Sequence, residues 1–305
     1  MNTTPTPTPA SAPTPASAST LGQALHEAQG QLAGAGITAT TAQADARLLA
    51  AHACNVAPAD LDAHLAGPVP PRFWPCIERR LAREPAERIV GHAYFMGHRF
   101  DLAPGVFVPK PETEEITKDA IARLNALTDA GTATPVVVDL CAGPGTMAVT
   151  IARHVPAAQV HGIELSQAAA RAARRNARGT GARIVQGDAR DAFPDLDGTV
   201  DLVVTNPPYI PIGLRTSSPE VLGYDPPLAL WAGEGGLGMI RAMELTASRL
   251  LAPGGVLLLE HGSYQLHSVP RLFAATGRWS HATSRPTCND GCLTAIRNHT
   301  PPPPA

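Results

Sequence analysis

Residues 135–165 read PVVVDLCAGPGTMAVTIARHVPAAQVHGIEL, and this stretch decides the fold class. PVVVDL and QVHGIEL are short, almost continuous apolar runs, and the helical pattern TMAVTIARHV lies between them. Similar runs follow at residues 183–188, 200–206 and 255–262. Short apolar strands that alternate with helices predict a parallel sheet covered on both faces. The sequence therefore predicts an α/β fold whose ligands bind beyond the carboxyl ends of the strands.

The chain before this sheet has a different character. In residues 20–88, Leu21, Leu25 and Leu32 recur at nearly helical spacing, and short Gly/Pro breaks separate several such segments. Thr40 and Gln43 form a possible capping box at the start of the second helix. We therefore expect a small helical domain here.

Residues 89–112 contain aromatic and β-branched residues divided by glycines and prolines, which predicts a β-hairpin and an extended linker. The α/β domain is then expected at residues 113–298. Residues 1–19 and 299–305 are rich in Pro, Thr and Ala, and such segments are expected to be disordered because they have little to bury.

Composition excludes several classes of function. The chain has 24 basic and 26 acidic residues, so the basic excess typical of stable nucleic-acid binding is absent from the sequence. Because no apolar run is long enough to span a membrane and no signal peptide is recognisable, we expect a soluble, cytoplasmic protein without a membrane partner. Cys288 and Cys292 lie four apart but lack further ligands at useful spacing, so no metal is expected.

Acidic residues lie at the ends of three consecutive predicted strands. Asp139 precedes the loop Cys141–Gly145, Glu164 ends the second strand and Asp188 follows the third. A carboxylate at the tip of the second strand suits a ribose diol, and one after the third strand suits an adenine amino group. Taken singly, Glu164 is also a favourable charge before a helix, and Asp188 is a common turn residue. Their order along successive strands favours a nucleoside-containing ligand.

The first loop argues against a dinucleotide. It lacks the third glycine of that fingerprint, and Pro144 between Gly143 and Gly145 does not suit a pyrophosphate cradle. Adenosine without phosphate fits better, which indicates S-adenosylmethionine as the cofactor. The residues expected to bind it are Asp139, Cys141, Gly143, Gly145, Glu164, Leu165, Asp188, Ala189 and Asn206.

The most specific motif is Asn206-Pro207-Pro208-Tyr209 at the end of the fourth strand. The two prolines stiffen the backbone and present carbonyl oxygens beside an aromatic ring. The Asn206 side-chain oxygen and the Pro207 carbonyl suit the two N–H bonds of a planar, amide-like or amino nitrogen, while Tyr209 suits stacking on a flat group. A purely structural turn is the alternative. The motif predicts methyl transfer to nitrogen, with Asn206, Pro207 and Tyr209 as the catalytic residues.

Several segments resemble the HemK family of methyltransferases, which methylate glutamine in peptide-chain release factors. The resemblance covers residues 41–297 and is carried by ADARLLAAHACNV, REPAERIVG, FMGHRFDLAPGVFVPKPETEE, VVDLCAGPG, GIELS, GDAR, VTNPPYI, YDPPLALWAGEGGLG and LAPGGVLLLEHGSYQ. It implies a class I, Rossmann-like methyltransferase domain with a seven-stranded sheet and a reversed last strand. A small N-terminal helical domain, joined through the hairpin, would help to bind the protein substrate.

The resemblance also implies roles for individual residues. Asn206, Pro207 and Tyr209 would hold the glutamine side chain, in the Gly-Gly-Gln loop of a release factor. The residues expected to bind the substrate are Phe107, Pro109, Thr113, Asn206, Pro207, Pro208 and Tyr209. The release factor is accordingly the expected partner.

Departures from the family pattern concern the substrate more than the cofactor. Lys110 stands where the family usually has Arg, Gly235 where it usually has Asp, and PTCNDGCLTAIRNH lacks the usual DLAGR-like pattern. Alternative acceptors are therefore a glutamine of a ribosomal protein, a small-molecule nitrogen, and an adenine or guanine nitrogen of nucleic acid. A cofactor-binding adaptor without catalysis is a further alternative, against which the intact Asn206 and Tyr209 argue.

Overall fold

The computed structural model describes residues 18–214 and 218–299. The predicted disordered segments at residues 1–17 and 300–305 lie outside this part of the chain. The chain divides into two compact units between Val90 and Gly91. None of the helices in the two described ranges is long and apolar enough to cross a membrane.

The first unit is helical. Its helices are α1 (Leu21–Gly34), α2 (Ala39–Cys54), α3 (Phe73–Leu81) and α4 (Ala86–Val90), with a 3₁₀ segment at Pro58–His64. Thr20 caps α1 through a capping box with Gln23. The capping box expected at Thr40 and Gln43 is wrong, because α2 begins earlier: the Thr38 hydroxyl accepts the Thr41 N–H at 3.3 Å.

Apolar side chains from all four helices form the core of this unit. The fully buried ones include Leu21, Leu32, Leu49, Leu61, Phe73 and Ile77. Asp45 of α2 and Arg80 of α3 form a buried ion pair, with 2.6 Å between Oδ2 and Nε. Removal of one partner would be strongly destabilising, because it would leave an uncompensated buried charge.

The second unit begins with the predicted hairpin, which the structure confirms. Strands β1 (His92–Phe95) and β2 (His98–Asp101) pair antiparallel across a turn at Met96 and Gly97. Both turn residues have positive φ, 47° and 77°, as a tight two-residue hairpin requires. The Met96 N–H donates to Glu114 Oε1 at 2.8 Å and so ties the turn to the helix that follows.

A seven-stranded sheet dominates the second unit and confirms the predicted fold class. Its strands are β3 (Val136–Leu140), β4 (Gln159–Glu164), β5 (Arg183–Gln186), β6 (Val200–Thr205), β7 (Leu251–His261), β8 (Trp279–Pro286) and β9 (Gly291–Arg297). The order is β5-β4-β3-β6-β7-β9-β8. Strands β3 to β7 pair parallel, and β9, the last in the chain, runs antiparallel to both neighbours.

Helices cover both faces of the sheet. They are α5 (Glu112–Asp129), α6 (Thr146–His154), α7 (Gln167–Asn176), α10 (Gly238–Leu250) and α11 (Ser268–Ala274). Two further short helices, α8 (Pro219–Tyr224) and α9 (Pro227–Leu230), lie between β6 and α10 in the chain. Successive strand residues point to opposite faces, so Val137 packs with Ile116 and Met147, whereas Val138 packs with Ile240 and Met243. Burial on both faces is why these strands are almost entirely apolar.

Candidate active site

A cavity opens at the carboxyl ends of β3, β4 and β6, where the parallel-sheet rule places a ligand. Its lining contains the residues expected to bind the cofactor with two exceptions, Asp139 and Gly145. The expected residues that line it are Cys141, Gly143, Glu164, Leu165, Asp188, Ala189 and Asn206. The fold therefore brings the ends of three strands together around one space.

Glu164 is held in the cavity by backbone donors. The Gly143 N–H donates to Oε2 at 2.8 Å, and the Ser166 N–H donates to Oε1 at 2.7 Å. A carboxylate accepts about four hydrogen bonds, so each oxygen keeps capacity for a hydroxyl of the ligand. Burial raises the pKa of Glu164, and the two backbone donors oppose that rise. The position suits the predicted contact with a ribose diol.

Asp139 and Gly145 lie outside the lining. Asp139 is fully buried beneath the loop, and its Oδ2 accepts the Ala148 N–H at 3.0 Å. Burial raises the pKa of this carboxyl to about 8. At Gly145 φ is +85°, and a Cβ there would lie 3.1 Å from the Ala173 Cβ. This glycine therefore allows α6 to begin close against α7.

Asp188 lines the cavity and also caps a short 3₁₀ turn. Its Oδ1 accepts the Arg190 N–H at 2.9 Å, and its carboxylate pairs with the Arg190 guanidinium. These hydrogen bonds hold the pKa of Asp188 below its ordinary value. Asp188 therefore has the role of a turn residue, which was the alternative considered from the sequence, and it also lines the cavity.

The cavity suits an adenosine-based cofactor. Leu165, Ala189 and Met239 line it with apolar surface for a flat base, while Glu164 offers acceptors for hydroxyl groups. A Cβ built on Gly143 would meet no atom within 4 Å, so the backbone at this glycine stays open to a ligand. Cys141 has φ +63°, an uncommon conformation that bends the loop after β3 around the space.

Asn206 follows β6 directly and lies at the boundary of this cavity. Its Nδ2 donates to Thr113 Oγ1 at 3.2 Å, and the Thr113 hydroxyl donates to Glu260 Oε2 at 2.7 Å. Thr113 is buried and lines neither cavity described here, although it was expected to contact the substrate. Its contacts instead place it behind Asn206.

Hydrogen bonds at both ends hold Tyr209. Its hydroxyl donates to Asp290 Oδ2 at 2.9 Å, and its carbonyl accepts from the Tyr264 hydroxyl at 2.9 Å. Gln265 Nε2 donates to the same carbonyl at 3.4 Å. Gly236, with φ +70°, lies so close that a Cβ there would be 2.3 Å from the Tyr209 oxygen.

A second cavity adjoins the first at Asn206. The two share Phe107, Asn206 and Ala229 in their linings. The second has a volume of about 350 Å³, within the range of about 300–1,000 Å³ typical of small-molecule sites. Aromatic and charged side chains line it, namely Phe107, Lys110, Glu112, Tyr209, Tyr264 and Asp290.

The charges in the second cavity have defined partners. Lys110 Nζ lies 3.2 Å from Asp225 Oδ2 and 5.1 Å from the centre of the Phe107 ring. Glu112 Oε2 accepts from Asn289 Nδ2 at 3.1 Å. Burial raises the pKa of Asp290, and the nearby Glu112 adds to the rise while the Tyr209 hydroxyl opposes it. The cavity therefore combines one cation, two acidic groups and aromatic walls.

Of the residues expected to bind substrate, Phe107, Asn206, Pro208 and Tyr209 line one or both cavities, whereas Pro109, Thr113 and Pro207 do not. Sequence reasoning did not single out three lining residues, Glu112, Tyr264 and Asp290. Glu112 lies in the KPETE segment and Tyr264 in GSYQ, so their motifs were visible. Asp290 lies in a turn that was noted in the sequence for its two cysteines and for its departure from the family pattern.

Family models match two parts of the chain. Residues 23–91 match the PrmC N-terminal domain, and residues 137–212 match a methyltransferase domain. Among solved structures, a T. thermophilus 16S rRNA methyltransferase in complex with AdoMet and guanosine is similar, with a TM-score of 0.50 and 21% identity over 68% of this chain and 50% of that one. This likeness concerns the fold alone.

Two relatives are similar over almost the whole chain. The 4-amino-L-phenylalanine/4-methylamino-L-phenylalanine methyltransferase of Streptomyces pristinaespiralis is 85% identical over 94% of this chain and 98% of that protein. The release factor glutamine methyltransferase of Streptomyces coelicolor is 43% identical over 87% of this chain and 92% of that protein.

The comparison corrects the expected substrate and partner. We expected a glutamine of a release factor as the methyl acceptor, and the release factor as the partner protein. Both expectations are wrong, because a relative at 85% identity acts on a small molecule, whereas the release factor methyltransferase of S. coelicolor is only 43% identical. The alternative of a small-molecule nitrogen is better supported.

Proposed function

Since the chain belongs to the HemK/PrmC family of S-adenosylmethionine-dependent methyltransferases, we propose that it methylates the ring amino nitrogen of 4-amino-L-phenylalanine and then that of the monomethyl product. The observation that carries this proposal is the 85% identity to the enzyme of S. pristinaespiralis across 94% of the chain. The cofactor cavity and its neighbour at Asn206 agree with a donor and an acceptor that meet at that residue.

An aryl amine suits the same corner as an amide. In both groups the nitrogen lone pair is delocalised, so the nitrogen is a weak nucleophile and benefits from acceptors that orient its N–H bonds. The Asn206 side-chain oxygen and the Pro207 carbonyl would accept from the two N–H bonds of the first substrate. The monomethyl product keeps one N–H for a second round. Preorganised acceptors of this kind act mainly by positioning.

S-adenosylmethionine supplies a methyl group bound to a positively charged sulfur. The nitrogen lone pair forms the new N–C bond as the S–C bond breaks, and the aryl ammonium product then loses one proton to water. Such an ammonium ion is acidic enough to lose that proton at neutral pH. Asn206 therefore needs to orient the nitrogen but not to take up a proton.

The amino-acid end of the substrate would occupy the second cavity. Phe107 and Tyr209 offer flat surface to the substrate ring. Glu112 and Asp290 are the acidic groups for the α-ammonium, and Lys110 is the cation for the α-carboxylate. A cavity with charges of both signs suits a zwitterion better than an uncharged glutamine side chain.

Mass spectrometry tests the proposal. The purified protein is incubated with S-adenosylmethionine and 4-amino-L-phenylalanine, and the expected products carry first one and then two methyl groups on the ring nitrogen. Asn206→Ala should abolish the product while calorimetry still shows cofactor binding. Asn298→Ala is the control, because that amide donates to the Gly277 carbonyl in a loop beside β8. Cofactor binding without any methylated amine, or methylation of L-phenylalanine at its α-nitrogen, would contradict the proposal.

A further inference from the structure

The amide group of Asn206 has two chemically different ends, and only one of them suits methyl transfer to an amine. The oxygen accepts an N–H and leaves the nitrogen lone pair available for the methyl carbon. The NH₂ end would instead donate to that lone pair and compete with the reaction. The orientation of this amide is therefore decisive for an acceptor nitrogen of the proposed kind.

Three elements contribute to a hydrogen-bonded chain behind Asn206. Asn206 follows β6, Thr113 lies in the first turn of α5, and Glu260 lies near the end of β7. The Asn206 Nδ2 to Thr113 Oγ1 distance is 3.2 Å, and the Thr113 Oγ1 to Glu260 Oε2 distance is 2.7 Å. Thr113 is 4% exposed and Glu260 is 1% exposed, so the chain is shielded from water.

The chemistry of the chain gives it a direction. A threonine hydroxyl has one proton, and an ionised carboxylate has none to donate. When Glu260 is ionised, Thr113 therefore donates its proton to that carboxylate and must accept from Asn206. The NH₂ group is the part of the asparagine side chain that can donate, so the amide oxygen faces away from Thr113.

We propose that Thr113 and Glu260 are positioning residues that hold the Asn206 amide with its oxygen toward the acceptor nitrogen. This inference rests on the proposed function for the identity of the acceptor, but the orientation of the amide is a property of the protein itself. Neither residue lines a substrate or cofactor cavity, so both act through Asn206.

The charge state of Glu260 affects the direction of the chain. Burial raises the pKa of Glu260 to about 8, and Glu112 and Asp290 add to the rise, while hydrogen bonds from Thr113 and Asn206 oppose it. The Tyr209 hydroxyl also interacts with this carboxyl, and so does the thiol of Cys292 on the neighbouring β9. A protonated Glu260 is able to donate to Thr113 and reverse the chain. The turnover number should therefore rise with pH toward and through this pKa.

Substitutions at Thr113 separate positioning from folding. Thr113→Val keeps the shape but removes the hydroxyl, and it should lower kcat by about 10- to 100-fold with little change in cofactor affinity. Thr113→Ser restores the hydroxyl and should recover most of kcat. Thr117→Val is the matched control, because Thr117 is a buried threonine one turn along α5 that donates to the Thr113 carbonyl. Glu260→Gln should flatten the rise of kcat with pH.

Unchanged kcat in Thr113→Val, or no recovery in Thr113→Ser, would overturn the inference. A loss that matches a reduced fraction of protein able to bind S-adenosylhomocysteine would also overturn it, since this result indicates misfolding. A pH profile of Glu260→Gln identical to that of the original protein would show that Glu260 is not part of the hydrogen-bonded chain behind Asn206.

A spectroscopic readout distinguishes failure of this inference from failure of the proposed function. In protein labelled with ¹⁵N at asparagine and bound to S-adenosylhomocysteine, the side-chain amide signal of Asn206 is assigned by its absence in Asn206→Ala. One of its protons should exchange slowly in the original protein and in Thr113→Ser, and rapidly in Thr113→Val. If this pattern holds but 4-amino-L-phenylalanine is not methylated, the acceptor is wrong and the positioning stands. If methylation occurs but exchange does not depend on Thr113, the positioning is wrong.

Discussion

Asp290 is the side chain that best separates binding of the amino-acid end from reaction at the ring nitrogen. It lines the second cavity and accepts from the Tyr209 hydroxyl at 2.9 Å. Asp290→Asn keeps an oxygen for that hydroxyl but removes the charge that would bind an α-ammonium. We expect the KM for 4-amino-L-phenylalanine to rise by about tenfold, the size of one lost charge-assisted hydrogen bond, with kcat little changed.

The control for this prediction is a substrate rather than a variant. In 4-methylaniline a methyl group replaces the amino-acid end, so its KM should not respond to Asp290→Asn. Steady-state kinetics with both amines measure the difference. An equal rise for both substrates would show that Asp290 acts through the Tyr209 hydroxyl and not on an ammonium group.

At the residue scale, sequence predicts what lies at strand ends and misses what depends on distant contacts. Glu164 and Asn206 follow recognisable strands, so their presence at one cavity follows from the parallel sheet alone. Asp139 follows the same rule, yet it lies beneath the loop because its carboxylate accepts from the start of α6. Asp290 reaches the cavity from a turn between the last two strands, and no local pattern indicates that position.

The segment around Gly236 connects α9 to α10 and passes against the carbonyl of Tyr209. With φ at +70° and a prospective Cβ 2.3 Å from the Tyr209 oxygen, Gly236 faces both a conformational and a steric restriction. Gly236→Ala should therefore lower the free energy of unfolding by about 1–3 kcal/mol beyond the cost of positive φ alone, because the new methyl group must displace backbone. It should also lower kcat, since Tyr209 would move.

Gly277→Ala is the matched control, because Gly277 has φ +67° and no atom within 4 Å of a prospective Cβ. Gly277→Ala should lower the free energy of unfolding only by the cost of a positive φ, about 1–2 kcal/mol, and it should leave kcat unchanged. Urea unfolding and steady-state kinetics of both variants measure the difference. Equal destabilisation by the two variants would mean that the close approach of Gly236 to Tyr209 does not contribute to the loss in free energy of unfolding.

At the scale of elements, the type of each segment was easier to predict than its limits. The apolar runs at 135–140 and 200–206 correspond to β3 and β6 within one residue at each end, because buried parallel strands leave a continuous apolar signal. The start of α2 was missed because several threonines precede the helix, and the hydroxyl of Thr38 is the one that reaches an N–H. Competing caps of equal chemistry are distinguished only by geometry.

At the scale of the whole molecule, the family was predictable and the methyl acceptor was not. The chain matches the PrmC N-terminal domain and a methyltransferase domain, and motifs at strand ends were enough to predict this family and its sheet. In the proposed function, the amino-acid end of the acceptor contacts side chains that line the second cavity, such as Lys110, Glu112 and Asp290. A few such residues are able to change the substrate without altering the fold that presents them.

Two buried carboxyls should make the stability of the second unit fall as the pH rises. Burial raises the pKa of Asp139 from 3.8 to about 8 and that of Glu260 from 4.5 to about 8. Between the unfolded and folded values the folded state binds more protons than the unfolded state, so the stability present at low pH is lost as the pH approaches 8. The loss is on the order of 1.4 kcal/mol per pH unit for each carboxyl.

Burial also raises the pKa of Glu164 and Asp290, so these two carboxyls act in the same direction as Asp139 and Glu260. Burial lowers the pKa of His161 and His261, so these side chains are neutral in both states above about pH 7, and hydrogen bonds from Arg285 lower the pKa of Glu115. Urea unfolding followed by circular dichroism, in the absence of cofactor, should therefore show stability falling from about pH 7 to 8. Glu260→Gln should reduce that slope, whereas Glu115→Gln should change stability by the same amount at both pH values. A slope that Glu260→Gln leaves unchanged would mean that Glu260 does not hold its proton in this window, and the pH-dependent reversal of the hydrogen-bonded chain behind Asn206 would fail with it.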